Sequence, residues 1–389
     1  MTLLSLIVFV PTAAALAIAF FPREKTEAMK MFSLAATAVV FVLTAIMALP
    51  GRGDWQFDTA VSEMQKIFSI SWIPSFNIRY FMGVDGISFP LVLLTSFVTM
   101  LSMAASWPIQ KHVKAYCILF LLLETGMLGV FMSLDLVLFF LFWEVGLIPM
   151  YFLINIWGSA NRQYASFKFF IYTMAGSVGL LLAIQTIGLS LGTFDMTQAF
   201  ARWPTWADSI YGIPAGTVRA VAFWAFSLAF AIKVPIWPFH TWLPDAHTEA
   251  PTAGSMLLAG VLLKLGAYGF LRLVLPLYPA EAHQYAGVLA LLALMAIVMG
   301  ALASFGQTDF KRLVAYSSIN HMGFVVLGIA VAAYVAGSPI ESLRATGIMA
   351  INGAVLQMFA HGLSAAGMFL LVGVIYDRTH TRNLQEFGG

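Results

Sequence analysis

Five ionisable side chains lie inside long apolar segments of this sequence, where an accidental charge is costly. They are Glu144 in LVLFFLFWEVGLIPMYFL, Lys233 in FWAFSLAFAIKVPIWPF, Lys264 in SMLLAGVLLKLGAYGFLRL, His321 in LVAYSSINHMGFVVLGI and His361 in INGAVLQMFAHGLSAAGMFL. A lysine or aspartate at mid-membrane depth costs about 2.5 to 3.5 kcal/mol on insertion scales. Groups of this type at similar depth on separate helices indicate that the chain binds and releases protons.

Two interpretations of these charges remain open. Glu144 and one lysine could form a structural ion pair, although desolvation nearly offsets such a pair and the second lysine is left alone. Alternatively, the groups form a titratable chain along a hydrated path. Burial favours a neutral lysine and a nearby carboxylate favours a charged one, so a lysine held between them can exchange protons. Histidine titrates near neutral pH and suits relay positions.

The segment AIKVPIWPFHTWLPDAHTEAPTAGS, residues 231–255, predicts a broken helix. Proline inside a helix removes a backbone hydrogen bond, and discontinuous helices mark ion sites in transporters. Pro235 follows Lys233 by two residues. We therefore expect the helix to break at Pro235, leaving a carbonyl unpaired and letting water reach Lys233.

Further polar residues are weaker candidates. After the break come His240, Asp245, His247 and Glu249, which lack the spacing of metal ligands and are expected to make solvated loop or subunit contacts. Lys168 and Arg272 lie near helix ends, where they can snorkel to the interface. Asp135 is expected to cap a helix first, and to serve proton entry or exit second. Asp135 and Lys168 are therefore kept as secondary candidates.

Composition places the chain in a membrane. Hydrophobic residues make up 60% of the 389 residues, charged residues only 10%, and the mean hydropathy is +0.88. The net charge of +2 is too small for a nucleic-acid partner, and the single cysteine, Cys117, excludes a disulfide framework. No nucleotide-binding or zinc-hydrolase motif occurs. The chain alone is expected to bind no metal or cofactor and to carry out no redox chemistry.

Continuous apolar runs of about 20 residues predict an all-α, polytopic bundle of transmembrane helices. The predicted helices are 2–21, 29–49, 84–106, 114–133, 135–156, 166–190, 218–240, 253–277, 285–305, 311–335 and 344–376. Two longer connections, 50–83 and 191–217, carry Trp and Pro and are expected to be structured interfacial loops. Without a flexible linker, residues 1–389 form a single domain.

The loop charges predict the orientation. With the N-terminus outside, the inside connections hold Arg23, Lys25, Lys30, Lys111, Lys114, Arg162, Lys311, Arg312, Arg378 and Arg382. The outside connections hold Arg52, Lys66, Arg79, Arg202, Arg219 and Arg344, most of them in the two long loops. The short inside connections hold more Lys and Arg residues than the short outside connections, which favours an N-terminus on the outside.

The stretch FHTWLPDAHTEAPTAGSMLLAGVLLKLGAYGFLRL, residues 239–273, resembles the antiporter-like membrane subunits of respiratory complex I. More narrowly it resembles the chain M family of bacterial NADH–quinone oxidoreductase, equivalent to mitochondrial NADH dehydrogenase subunit 4. Supporting stretches are YFMGVDGISFPLVLLTSF at 80–97, FFLFWEVGLIPMYFLI at 139–154 and TDFKRLVAYSSINHMG at 308–323. The resemblance covers essentially the whole chain.

This resemblance implies roles for individual residues. Glu144 and Lys233 match a coupled carboxylate–lysine pair, and Lys264 matches a central bridging lysine. His240 and His321 match polar positions on a hydrated axis, as does His361. The family has inverted five-helix repeats, which implies a first repeat at about 114–277 and a second, incomplete, at about 285–389. Because this sequence ends after about eleven helices, we expect a chain truncated before the second broken helix and its acidic residue.

The resemblance also implies the setting. Flavin, iron–sulfur clusters and quinone are expected in other subunits, with sister antiporter-like subunits, lipid, protons and water as partners. The location would be a bacterial inner membrane, or the mitochondrial inner membrane in a eukaryote. A subunit of a multisubunit cation/proton antiporter is the alternative, membrane-bound hydrogenases are a third relative, and a passive scaffold is a fourth interpretation. The EAPTAGS stretch and Lys264 favour complex I.

Overall fold

The computed structural model describes residues 2–387, and the predicted bundle of long apolar helices is confirmed. The helices of its first half are α1 Leu3–Ala19, α2 Thr26–Ala48, α3 Ser88–Ala105, α4 Val113–Met132, α5 Leu136–Val145, α6 Leu147–Trp157, α7 Arg162–Leu191 and α8 Met196–Arg202. Those of its second half are α9 Ala215–Lys233, α10 Trp242–Glu249, α11 Thr252–Leu277, α12 Pro279–Phe305, α13 Phe310–Val335 and α14 Glu341–Thr379. Within residues 2–387, ten segments are long and apolar enough to cross a membrane, with α5 and α6 forming one of them, and α1 is a shorter apolar helix. The protein is therefore an integral, multi-pass membrane protein.

Helix α11 is the centre of the bundle, because its apolar window is entirely buried. Two π-helical turns, Leu258–Leu262 and Phe270–Val274, flank the α-helical turns Leu263–Gly269. A π turn widens the helix and displaces a carbonyl from its usual amide, and such turns are frequent at functional sites. The sequence pattern did not indicate them.

Residues 50–83 form more regular structure than the expected interfacial loop. Strands β1 Gln65–Ile73 and β2 Ile78–Val84 pair antiparallel, with Ser69 opposite Phe81. Asn77 makes the turn in the left-handed region at φ 52°. The hairpin packs on the loop between α4 and α5, where Leu134 N donates to Phe81 O at 2.8 Å.

The second long connection also folds onto the bundle. It contains α8, whose N-cap Asp195 accepts from the amides of Thr197 and Gln198. Trp203 is fully buried and stacks on Trp206 with ring centroids 5.0 Å apart. Trp203 therefore packs inside the protein and is not an outward-facing anchor, whereas Trp55 of the first connection is exposed.

Two of the predicted helices are interrupted, and each interruption lies beside an ionisable residue. The helix predicted at 218–240 ends at Lys233, and the one predicted at 135–156 is divided at Gly146 into α5 and α6. Pro235 and Pro149 supply the physical reason, since neither can donate the amide that a continuous helix needs.

Candidate functional site

Glu144 and Lys233 lie beside these two breaks. Lys233 is the last residue of α9 and only 2% exposed, while Glu144 is in the last turn of α5. Glu144 lies within electrostatic range of Lys233. The ion pairs found among residues 2–387 include neither side chain. One carboxylate oxygen, Oε1 of Glu144, is buried without a hydrogen-bond partner.

The ring of Trp143 lies beside the ammonium group of Lys233. The Nζ atom of Lys233 lies 5.0 Å from the centre of the Trp143 ring. The indole is fixed by its own hydrogen bond, since Trp143 Nε1 donates to Ser177 Oγ at 3.0 Å. A cation over an aromatic face is stabilised without giving up a proton or a hydrogen bond. Within residues 2–387, Lys233 therefore contacts an aromatic ring and forms no ion pair, while its proton coupling to Glu144 stays a prediction.

The break at Pro235 has the predicted position, but its carbonyls are not free. Ala231 O, which would have bonded to an amide at residue 235, accepts instead from Ile236 N at 3.0 Å. Ile232 O accepts from Trp242 Nε1 at 2.9 Å. The expected unpaired carbonyl is therefore wrong for these two positions, because the following turn and an indole from α10 supply the missing donors.

Lys264 lies at the centre of a second group of titratable residues. It is fully buried, and its Nζ donates to Ala259 O of the adjacent π turn at 2.5 Å. The same nitrogen lies 2.7 Å from Nδ1 of His361 on α14. The ring of His321 on α13 follows at 5.3 Å from that of His361. We call Lys264, His361 and His321 the Lys264 cluster.

The Lys264 cluster extends from the core to the surface of the chain. His361 is buried, and its Nε2 has no partner among the described residues. His321 is exposed, with Nδ1 3.2 Å from Gln357 Nε2. An imidazole that takes a proton on one nitrogen can release one from the other, so the arrangement can pass protons through His361.

Glycines bring α11 close to the helices that carry the other groups. A Cβ at Gly266 would lie 2.8 Å from Phe230 O and 3.0 Å from Lys233 Cβ, so α11 passes directly beside Lys233. On its other side, a Cβ at Gly362 would lie 2.9 Å from Gly260 O, next to His361. Close packing at these glycines places α11, the helix that carries Lys264, between Lys233 and the histidines.

The residues after the break divide into buried and partly exposed groups. His247 is fully buried, stacked on Phe369 at 4.4 Å, and neither ring nitrogen has a partner within residues 2–387. Glu249 is also buried and accepts from Asn161 N at 2.9 Å. The expectation of solvated loop contacts is wrong for both, because α10 folds back against the bundle. His240 is half-buried beside Tyr316.

Lys168 and Asp245 form an ion pair at the same end of the bundle. Lys168 Nζ lies 2.7 Å from Asp245 Oδ2, and Arg312 approaches the other carboxylate oxygen at 3.6 Å. All three side chains are partly exposed. Lys168 is thus held by a carboxylate and does not extend alone to the interface.

Asp135 caps α5, which agrees with its first expected role. Its Oδ1 accepts from the amides of Val137 and Leu138, and its Oδ2 accepts from Arg79 N of the hairpin at 3.0 Å. Burial raises the pKa of Asp135 to about 6, against the opposing effect of these amides. It therefore lies near its titration point at neutral pH, although its three hydrogen bonds describe a structural cap.

Arg272 does not reach the interface. Its Nη2 lies 2.5 Å from Asp85 Oδ1, and its Nε donates to Tyr268 OH at 3.1 Å. Tyr268 OH in turn donates to Phe131 O of α4. The snorkelling prediction is wrong, because Asp85, before α3, folds over the end of α11 and supplies a partner 187 residues away.

Glu124 is a buried acidic residue that the sequence reasoning missed. Glu124, in the middle of α4, is fully buried, and neither carboxylate oxygen has a partner within residues 2–387. Its signal was present in the sequence as a single acidic residue in the apolar run CILFLLLETGMLGVFM. Glu144 was identified because it is an acidic residue inside a long apolar segment, and Glu124 has the same feature.

Two family models together match nearly the whole chain. Residues 31–134 match the amino terminus of NADH-ubiquinone oxidoreductase chain 4, and residues 133–389 match the transmembrane model of NADH:quinone oxidoreductase and Mrp antiporters.

Curated and solved relatives agree with these matches. The chain is 44% identical to NADH-quinone oxidoreductase subunit M of Rhodobacter capsulatus, covering 100% of this chain and 73% of that protein. It also resembles a chain of respiratory complex I from Thermus thermophilus, with a TM-score of 0.81 and 26% identity, covering 99% of this chain and 74% of that one. A chain of the Mrp complex from Dietzia shares the fold at a TM-score of 0.76 and 23% identity, covering 97% and 38%.

Proposed function

Since the chain belongs to the subunit M, or chain 4, family of NADH:quinone oxidoreductase, we propose that Glu144, Lys233 and the Lys264 cluster carry protons through it. The protein is a proton-translocating membrane subunit of that complex. It adjoins other membrane subunits, including sister antiporter-like subunits. Its contribution to the enzyme is proton movement, while flavin, iron–sulfur clusters and quinone belong to other subunits.

The observation that carries this proposal is the pairing of Lys264 with His361 in the fully buried centre of the bundle. The nitrogen atoms are 2.7 Å apart, within direct transfer distance. A permanent ammonium there would have no carboxylate to balance it among the described ion pairs. A lysine that alternates between charged and neutral forms avoids that cost.

The arrangement supports a simple sequence of proton transfers. With Glu144 ionised, its charge holds Lys233 as an ammonium. When Glu144 binds a proton, burial drives Lys233 to release its own toward Lys264, whose helix touches Lys233 at Gly266. Lys264 Nζ then passes a proton to His361 Nδ1, and His361 Nε2 releases one toward His321.

His240 is a further residue of the proposed proton path, and Asp135 and Lys168 are secondary candidates. His240 lies between α9 and α10, on the side of the break nearest the Lys168–Asp245 pair. That end carries most short-loop Lys and Arg residues, and we assign it to the cytoplasm, or to the matrix in a mitochondrion. Proton uptake would begin there, in a bacterial inner or mitochondrial inner membrane, with the N-terminus on the other side.

A Glu144→Gln variant tests the proposal. It keeps the shape of the side chain and removes the charge that acts on Lys233, so quinone-coupled pumping should fall at least severalfold while the complex assembles. Proton uptake is measured in inverted membrane vesicles during NADH oxidation. Glu341→Gln, at an exposed position at the start of α14, is the matched control and should pump normally. Full pumping by an assembled Glu144→Gln complex would contradict the role.

The same vesicles separate this function from a cation/proton antiporter, the alternative suggested by the shared antiporter model. A complex I subunit pumps only while NADH is oxidised. Sodium-dependent proton exchange without NADH oxidation would instead support the antiporter.

A further inference from the structure

Helices α2 and α3, with the residue that follows α3, carry a series of buried hydroxyl groups. We call it the hydroxyl seam, and its members that matter here are Ser33, Thr37, Thr44, Thr99, Ser102 and Ser106. All six are at most 2% exposed. Thr44 Oγ1 and Ser96 Oγ lie 2.6 Å apart, so at this point hydroxyls of α2 and α3 meet between the two helices.

Glu124 projects from α4 toward the hydroxyl seam. A Cβ at Gly126 would lie 2.7 Å from Gly146 N, so that residue faces α5 and α6. Two residues along an α-helix rotate by about 200°, which turns Glu124 to the opposite side. Cys117, two helical turns earlier on the same face as Glu124, lies against Ser33 and Lys30 of α2. Glu124 therefore faces α2 and not α5, the helix that carries Glu144.

The hydroxyl seam opens at the end of the bundle that carries Lys111 and Lys311. A cavity of about 390 Å³ lies there, lined by Ser106, Tyr116, Lys311 and Arg382 among others. Ser106 Oγ lies 2.7 Å from Tyr116 OH and donates to Ser102 O at 2.8 Å. The next hydroxyl inward, Ser102 Oγ, is buried without a partner among the described residues. Tyr116 and Glu124 are two turns apart on α4, about 12 Å.

We propose that Glu124 is a second proton-binding site, which exchanges its proton with this cavity through the hydroxyl seam. An ionised carboxylate buried with neither a donor nor a cation is strongly disfavoured, so the group holds a proton. Each exchange forms or breaks one O–H bond at Glu124, and hydronium or water in the cavity supplies or accepts the proton. Hydroxyl groups both donate and accept, so they conduct this exchange without being charged. This inference rests on the proposed function in one respect, which is that the ion exchanged at Glu124 is a proton.

Infrared spectroscopy of the assembled complex tests the proposal directly. A protonated carboxyl has a carbonyl band distinct from that of a carboxylate, and Glu124→Gln should remove one such band. In heavy water this band should shift as the proton is replaced by deuterium. An unchanged spectrum in Glu124→Gln would show that Glu124 is ionised, and a band that never shifts would show that the site is sealed. Either result overturns the proposal.

Tyr116→Phe tests the path while keeping the carboxyl. It removes the hydroxyl at the mouth of the seam and retains the ring, which packs on Phe120 and Trp157. Deuterium exchange at the Glu124 band should slow by about tenfold, as expected for one lost hydrogen bond. An unchanged exchange rate would exclude this route. The measurement remains informative if Glu124→Gln fails to assemble.

Glu144→Gln distinguishes this inference from the proposed function. It should leave the Glu124 band and its exchange rate unaltered, because α5, which carries Glu144, packs against the opposite face of α4. If Glu144→Gln pumps normally, the proposed function fails while the Glu124 site stands on its own spectrum. If the Glu124 band instead changes in Glu144→Gln, the two carboxyls share one path and the separate site is wrong.

Discussion

At the scale of single residues, Lys233 distinguishes a relay from a structural charge. Its Nζ lies 5.0 Å from the centre of the Trp143 ring, and the ion pairs of residues 2–387 do not include it. Lys233→Arg keeps a cation for the ring but hardly ever releases a proton. We expect the Arg variant to assemble and to lose most quinone-coupled pumping, measured as acidification or alkalinisation per NADH oxidised.

Lys233→Ala is the companion variant. If the lysine only held the fold together, Arg would restore pumping and Ala would mainly reduce the amount of assembled complex. If the lysine is a relay, both variants should pump poorly, and the Arg variant should assemble better than the Ala variant. An assembled Arg variant that pumps fully would refute the relay.

Arg272 and Asp85 provide a second residue-scale prediction. Arg272 and Ser88 keep the pKa of Asp85 below its usual value although burial opposes this, so the carboxylate is ionised at neutral pH. Arg272→Leu leaves that buried carboxylate unpaired, which should cost about 3–5 kcal/mol of stability. We expect a lower thermal midpoint of the complex.

The double variant Arg272→Leu with Asp85→Asn is the control for this pair. Removing both charges should recover much of the thermal midpoint, because no unpaired charge remains. Equal destabilisation in the single and double variants would mean that Arg272 acts through its packing on Tyr268 and not through Asp85.

At the scale of elements, Gly266 sets the distance between α9 and α11. A Cβ there would lie 2.8 Å from Phe230 O, a backbone atom that cannot move alone. Gly266→Ala should therefore push the helices apart, cost about 1–3 kcal/mol and weaken transfer between Lys233 and Lys264. The thermal midpoint and pumping should both fall.

Gly287→Ala is the matched control for that change. Gly287 lies inside helix α12, and a Cβ there would meet nothing within 4 Å. Alanine favours the helix more than glycine does, so stability should hold or rise slightly. If Gly266→Ala behaved like Gly287→Ala, close packing of α9 on α11 would not matter for transfer.

Element positions were largely predictable from the sequence, and contacts between elements were not. The length of the apolar segments predicted the membrane helices, and Pro235 predicted the break after Lys233. The π turns beside Lys264 carry no composition signal, and the pairing of Arg272 with Asp85 joins residues far apart in sequence. Glu124 shows a different limit of sequence analysis. The sequence reveals a lone carboxyl in an apolar segment, but it does not reveal whether the folded chain gives that carboxyl a partner. The roles of the predicted site residues and the two inverted repeats stay predictions.

At the scale of the whole molecule, the groups of the proposed path lie on two sides of α11. Lys233 touches α11 at Gly266 on one side, and His361 meets Lys264 of α11 on the other. Because the apolar window of α11 is entirely buried, Lys264 can gain or lose a proton only through these neighbours. The direction of transport through the bundle therefore depends on which end faces the cytoplasm.

The last prediction concerns that orientation. The loop containing Lys111 should face the cytoplasm or matrix, and the loop containing Glu63 should face the other side, because short-loop Lys and Arg residues are retained inside. Both side chains are exposed, and the native Cys117 is buried, so it can be replaced by Ala to give a background without cysteine. An impermeant thiol reagent added to intact cells should label Glu63→Cys and leave Lys111→Cys unlabelled. Inverted vesicles should give the opposite pattern. Labelling of Lys111→Cys in intact cells would reverse the orientation and place proton uptake at the other end of the bundle.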